Sequence, residues 1–482
     1  MVALSADATS RSSSGVFTTT WRPDAVSALT LLIACAFLIP ARYTFPPLGG
    51  AGRLDIMLGV VMLVWWLITR AVPALTVRDR QPLRVVLLVL VMAMFISAAL
   101  AYQRGLTTIE LNGLDRELIG WLSIAGIALV TIDGTRSPER FDVLLKRVLL
   151  CGLFVAFVAN IQFFLSFDLT YHLRPPGLRP NLDLLTVEQR SVVRRVYGTS
   201  LHPIEFGVLM SVLGAVSTHY ALMAKTRLER QLRWIATAVF FGSGLMSVSR
   251  SAVVSMALIL LGFVVIWRPR LWFNALVAAV VGMGVMRAIA PGLLGTLRAL
   301  FENLGEDQSI AGRTNDYPAV FALAEHSFWF GRGPGTFNVE EYFVLDNQWL
   351  GSLISTGLVG TFAIAALFLT AIAQAHHLAR RAPTDEGRHR AHTLMWVLLV
   401  FVIASFFFDS LAYPQITAFT VVVVGVVGGL WTINEDHEQP LIMSPTRRVV
   451  RGSRSMLGRD DRPDGGRTVV LGGHPHGRGN GT

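Results

Sequence analysis

Charge is what this sequence has least of: Asp, Glu, Lys and Arg make up 15% of its 482 residues, against 52% hydrophobic residues. A water-soluble enzyme carries about 25% charged residues, so an ordinary soluble domain is excluded and lipid becomes the natural solvent. Lysine is nearly missing. Only Lys146 and Lys225 occur, and the net charge of +10 rests on arginines that punctuate apolar runs rather than gather in one patch. That distribution argues against nucleic acid as a partner. The two cysteines, Cys35 and Cys151, lie inside apolar runs, where they read as small buried hydrophobes rather than a disulfide or metal ligands. The Ser/Thr-rich start of the chain holds no short apolar core followed by a small-residue cleavage site, so no cleaved signal peptide is expected.

What the sequence has instead is a series of long apolar runs. A membrane helix needs roughly 20 mainly apolar residues, with latitude for tilt. Twelve runs qualify, at about 25–40, 54–71, 83–102, 118–132, 148–167, 201–224, 234–248, 251–267, 271–290, 349–373, 394–408 and 413–431. The reading is an all-α integral membrane protein of about 12 transmembrane helices, with a large extracytoplasmic loop between helices 9 and 10.

Arginine and lysine in short loops mark the cytoplasmic side. Alternate loops are the richer ones, with Arg70, Arg78, Arg80 and Arg84 in one and Lys225, Arg227, Arg230 and Arg233 in another. Both termini are therefore expected in the cytoplasm, and the intervals 168–200 and 291–348 outside. Residues 1–24 are expected to be a disordered cytoplasmic N-terminus, 25–431 a polytopic membrane domain, and 432–482 a disordered tail, Gly/Arg/Asp-rich and without apolar periodicity. The arginines of that tail suit anionic headgroups. In the longer outer loop, 315–326 has helical character and 331–335 the glycines of a tight turn.

Three clusters carry chemistry. In the first, Arg195, His202, Pro203 and Glu205 stand where an outer loop meets a helix. Pro203 suits a first turn, and His202 and Glu205, three apart, share a face. A snorkelling helix end is the plainer alternative. In the second, Ser247, Ser249, Arg250 and Ser251 join two apolar runs with almost no loop. An arginine at mid-membrane costs about 2.5–3.5 kcal/mol, so Arg250 must reach water, a carboxylate or an anionic ligand, or else snorkel. In the third, the long loop holds Gly312 and Arg313, then Gly331, Gly333 and Gly335, then Asp346 and Asn347. Capping of the following helix is the alternative for the last two. Aromatics of this loop, Trp329, Phe330, Phe337, Tyr342 and Phe343, suit sugar stacking or a membrane-interface belt. No His/Cys/Asp set has metal-ligand spacing and no Gly-x-Ser-x-Gly elbow occurs, which favours a metal-independent reaction; no cofactor is expected.

The joint order runs from Gly198, His202-Pro203 and Gly207 through Ser247 to Arg250, Gly312-Arg313 and Gly331 to Phe337. It ends with Asp346-Asn347 to Leu350 and Gly357 to Gly360, and it resembles the O-antigen ligase and Wzy-type polymerase superfamily. The resemblance spans about 195–360 and implies transfer of a glycan from an undecaprenyl diphosphate donor to a glycan acceptor hydroxyl at the outer face of the cell membrane. A chain-length regulator is a further candidate partner. Ligases of that family typically place a histidine where this sequence has Asp346-Asn347, which polymerase-like relatives more often resemble.

The chemistry fits these residues by itself. Displacing a diphosphate builds negative charge that fixed cations stabilise, and arginine stays charged beside lipid and grips phosphate oxygens bidentately. Arg195, Arg250 and Arg313 are therefore assigned to the diphosphate. Asp346 is the first choice of base, with His202 and Glu205 as alternatives and Asn347 and Gly312 in support. A carrier or flippase for lipid-linked or amphipathic substrates is the competing class, and it would place polar residues within spans, where Asn160 and Gln162 are the clearest pair. A peptidoglycan glycosyltransferase of the shape-and-division type is a third class, but its characteristic motifs are missing.

Overall fold

The computed structural model describes residues 24–72, 80–135, 137–181, 189–190, 193–290, 292–302, 308–338 and 341–438. Most of the expected disordered termini, 1–24 and 432–482, lies outside these residues. Among them, Asp24 caps the first helix, its Oδ1 accepting from Ser27 N at 2.9 Å.

Fourteen α-helices occur among the described residues: α1 Ala25–Leu38, α2 Leu54–Ala71, α3 Pro82–Gln103, α4 Thr108–Gly134, α5 Pro138–Phe164, α6 Pro203–Leu222, α7 Arg227–Leu245, α8 Arg250–Ile266, α9 Pro269–Ile289, α10 Leu293–Glu302, α11 Gln308–Glu325, α12 Gln348–Arg381, α13 Asp385–Ala404 and α14 Pro414–Glu438. Each of the twelve apolar runs coincides largely with one of them. The remaining two, α10 and α11, fold the long loop, and α11 covers all but the last residue of the stretch expected to be helical. Four two-residue strands pair antiparallel: β1 Tyr43–Thr44 with β2 Arg179–Pro180, and β3 Gln189–Arg190 with β4 Val193–Arg194.

Seven of the described helices, α2, α3, α4, α6, α9, α12 and α14, are long and apolar enough to cross a membrane by length and composition. The others fall short for visible reasons. Helices α1 and α8 have 14 and 17 residues, and α5, α7 and α13 begin with the charged sequences PERFD, RLERQLR and DEGRHR. Burial follows position in the bundle rather than amphipathicity. Helix α6 is buried on every side and packs against α7, α8 and α13, while α9, apolar over 21 residues, has no buried residue. An apolar helix of about 31 Å with no protein cover is at home in a hydrocarbon layer of about 30 Å, not in water.

Helix α12 is broken at Gly357, where φ is 64° and ψ −167°. The loop before it docks into the break. Arg332 N and Gly333 N donate to Ile354 O and Ser355 O at 2.9 and 2.8 Å, and Leu358 N and Val359 N donate to Phe328 O and Trp329 O at 2.9 and 3.0 Å. The backbones touch so closely that a Cβ on Gly357 would lie 2.5 Å from Gly331 N, and one on Gly331 equally close to Gly357 N. Gly331, Gly333 and Gly335 all have positive φ, the conformation a tight turn of this kind requires. The loop is thereby fixed where it leads to Asp346.

Candidate functional site

The segment 195–202 carries the first cluster and is held from three sides. Gln162, near the end of α5, accepts from Tyr197 N and Gly198 N at 3.2 and 2.8 Å and donates to Gly198 O at 3.0 Å. Thr199 Oγ1 donates to Phe37 O at 2.6 Å, and Gln415 Nε2, at the start of α14, donates to Thr199 Oγ1 and Ala36 O at 2.9 and 3.0 Å. Tyr197 hydroxyl donates to Asp168 Oδ2 at 2.6 Å. Burial works to raise the Asp168 carboxyl, but hydrogen bonds from Thr170, Tyr197 and Gln162 outweigh it and hold the group below its ordinary range. Such a web fixes Arg195, which is 3% exposed and donates from Nε to Ser247 O at 3.3 Å.

Ser247 belongs to the α7–α8 turn, so Arg195 is joined to the turn that ends at Arg250. Within it the buried Val248 adopts φ 48°, a position β-branched side chains avoid. Strain of this sort, worth about 1–3 kcal/mol, persists only where surrounding contacts enforce it. Arg250 is the first residue of α8, two positions on.

His202 caps α6: its Nδ1 accepts from Ile204 N at 3.1 Å. With Nδ1 used as an acceptor, the neutral ring carries its proton on Nε2 and so presents a donor to its surroundings. Glu205 is fully buried. Its Oε1 accepts from Gln415 N and Ile416 N at 2.7 and 3.3 Å, and its Oε2 from Leu201 N at 2.8 Å, so the carboxylate caps the start of α14 from a neighbouring helix.

At the start of α12, Asn347 accepts at Oδ1 from Trp349 N and Leu350 N at 3.0 and 3.2 Å, which is the capping alternative realised. Gln348 then fastens this end to the α13–α14 connection. Its backbone N donates to Ser405 O at 2.9 Å and its Oε1 accepts from Leu411 N at 2.7 Å. Asp346 lies where its charge acts on Asp409 and Tyr413.

Tyr413 marks where the first and third clusters approach one another. The charges of Glu205, Asp346, Asp409 and Arg195 all act on its phenol. Its ring centroid is 5.9 Å from that of His202. Asp409 is the second marker: burial pushes it up to about 7, with Glu117 and Asp346 contributing. Arg195, His202, Glu205 and Asp346, drawn from sequence positions up to 151 apart, thus share one neighbourhood with Asp409. Gly312 and Arg313 lie on α11, and their side chains are outside the described residues. The aromatics Phe337, Tyr342 and Phe343 pack on one another, with ring centroids 5.2 and 5.3 Å apart.

Sequence reasoning missed Asp409, Tyr413 and Glu117. The signal for Asp409 was a lone acid after three phenylalanines, in a four-residue interval between apolar runs. Among the described residues no group of three or more His, Cys, Asp or Glu is arranged to hold a metal ion.

Residues 235–365 match the family model described as O-antigen ligase, which bears out the resemblance drawn from the motifs. The match takes in Arg250, the 331–335 turn, Asp346 and the Gly357 break. No curated protein matches the chain.

Proposed function

From the O-antigen ligase match over residues 235–365, we propose that this chain is a membrane glycosyltransferase. It polymerises or ligates glycan carried on undecaprenyl diphosphate, passing it to a sugar hydroxyl at the outer face of the cytoplasmic membrane. The observation that carries the reading is the convergence of Arg195, His202, Asp346 and Asp409 around Tyr413, at the helix ends that the arginine pattern assigns to the outside.

Arg195 and Arg250 hold the diphosphate and stabilise the charge that grows on it as the bond from the anomeric carbon breaks. Asp409, poised near neutrality, takes the proton of the attacking hydroxyl, since a base works best with a pKa near the operating pH. Asp346 holds that pKa up and orients the same hydroxyl. His202, with a donor at Nε2, hydrogen-bonds the departing phosphate or the acceptor. Glu205, whose two oxygens accept three backbone N–H groups, positions the segment rather than reacting. Arg313 supplies a third cation from α11.

The carrier reading requires polar side chains open to a pathway through the membrane. Asn160 instead donates to Ser243 Oγ and Ala156 O, both at 2.7 Å, and Gln162 is spent on the 197–198 backbone. Both serve packing. A strain lacking this chain should accumulate undecaprenyl-linked glycans and lose a surface polymer. Unchanged lipid-linked pools with an intact polymer would overturn the proposal.

A further inference from the structure

We propose that Lys146, Arg233 and Arg390, grouped around Tyr220 at the far end of the bundle from the candidate site, bind the phosphate of an anionic phospholipid. Tyr220 stands fifteen residues along α6 from Glu205, about 22 Å at 1.5 Å per residue. Three helices deliver the cations there. Lys146 Nζ from α5 lies 5.4 Å from the Tyr220 ring centroid and Arg233 Cζ from α7 lies 5.2 Å from it. Arg390 from α13 donates to both oxygens of Asp142 at 3.1 Å, and the Tyr220 hydroxyl donates to the same carboxylate at 2.8 Å.

The charges do not cancel. Arg233 is paired with Glu229 at 2.6 Å and Arg390 with Asp142, whereas Lys146 is exposed, faces an aromatic ring, and makes no ion pair among the described residues. One net positive charge remains, carried by the exposed Lys146, and a phospholipid phosphate diester carries one negative charge. Basic residues at the cytoplasmic ends of membrane helices attract anionic headgroups.

Beneath this cluster lies a buried polar pair. His389 Nε2 accepts from Trp267 Nε1 at 3.2 Å, so the neutral His389 carries its proton on Nδ1 and donates to His219 Nδ1 at 3.0 Å. The proton of His219 is then on Nε2, a buried donor with no partner among the described residues, in the field of the same three cations.

The test is native mass spectrometry of the full chain released from vesicles of phosphatidylcholine with phosphatidylglycerol. Wild type should retain phosphatidylglycerol preferentially. Lys146→Ala, which breaks no ion pair, should weaken retention about fivefold, the factor that about 1 kcal/mol per surface cation gives, while Arg270→Ala, an exposed arginine at the start of α9, should leave it unchanged. Equal retention in Lys146→Ala, an equal loss in Arg270→Ala, or equal retention of phosphatidylcholine would overturn the proposal. Displacement of the lipid by millimolar inorganic phosphate would overturn the choice of a lipid as the source.

Discussion

Replacing Asp409 by asparagine separates a reacting carboxylate from a packing one. Burial lifts this group from an ordinary 3.8 to about 7, with Glu117 and Asp346 adding to the rise. A shift of about three units corresponds to at most ~4 kcal/mol against ionisation, and to less at a partly exposed group where solvent screens the charges. If Asp409 takes the proton of the attacking hydroxyl, only its ionised form works, so turnover should rise with pH through about 7. Asp409→Asn should lose about 100-fold to 10,000-fold in turnover and lose that limb. Asp346→Asn removes one negative neighbour, so the Asp409 carboxyl ionises more readily and the limb moves to lower pH.

Stability should move the other way. The folded chain holds the Asp409 proton more tightly than the unfolded chain does, so this group's stabilising contribution is complete below about 3.8 and is lost as pH climbs through about 7. Above pH 7 Asp409→Asn should therefore be at least as stable as wild type. The assay is the rate of transfer from a polyprenyl-diphosphate glycan between pH 5.5 and 8.5, with melting followed in detergent. An Asp409→Asn protein with wild-type turnover and an unmoved limb would refute the reasoning.

Other outcomes are expected with equal definiteness. Arg250→Ala and Asp346→Ala proteins should reach the membrane at normal levels and leave lipid-linked repeat units untransferred, as read by gel analysis of surface polymer and extracted lipid; normal polymer in both would reject these assignments. Glu205→Gln puts an N–H donor where a buried backbone N–H now finds an acceptor, so it should lose about 1–3 kcal/mol of stability, seen as a lower melting temperature. Gly357→Ala should prevent accumulation of folded protein, because it combines positive φ with backbone contacts of 2.5 Å. Gly351→Ala, in α12 with nothing within 4 Å of the added Cβ, should be neutral or slightly stabilising.

The helices were legible because lipid demands apolar runs of a set length, and each run found its helix. Motif glycines were legible too, and the contact of Gly331 with Gly357 gives two of them a physical reason. What sequence could not give is proximity across long separations. Arg195 and Asp346 both come within electrostatic reach of Tyr413 on loops that Gln162, Gln415 and Gln348 hold, and hydrogen bonds of that kind leave no periodicity to read. Glu205 looked like a candidate base since type and position were right, whereas its three backbone donors are visible only in the fold. Asp409 was hidden by brevity, one acid in a short turn. The cluster around Tyr220 was hidden by distribution, its cations spread over α5, α7 and α13.

The most direct measurement of the central claim uses the purified chain in vesicles, a polyprenyl-diphosphate oligosaccharide and a sugar acceptor, with no nucleotide sugar added. Wild type should release polyprenyl diphosphate in step with a longer glycan, and Arg250→Ala, equally folded, should release almost none. Equal release by both proteins, or no release by a folded wild type, would contradict a reaction built on arginines gripping a leaving diphosphate.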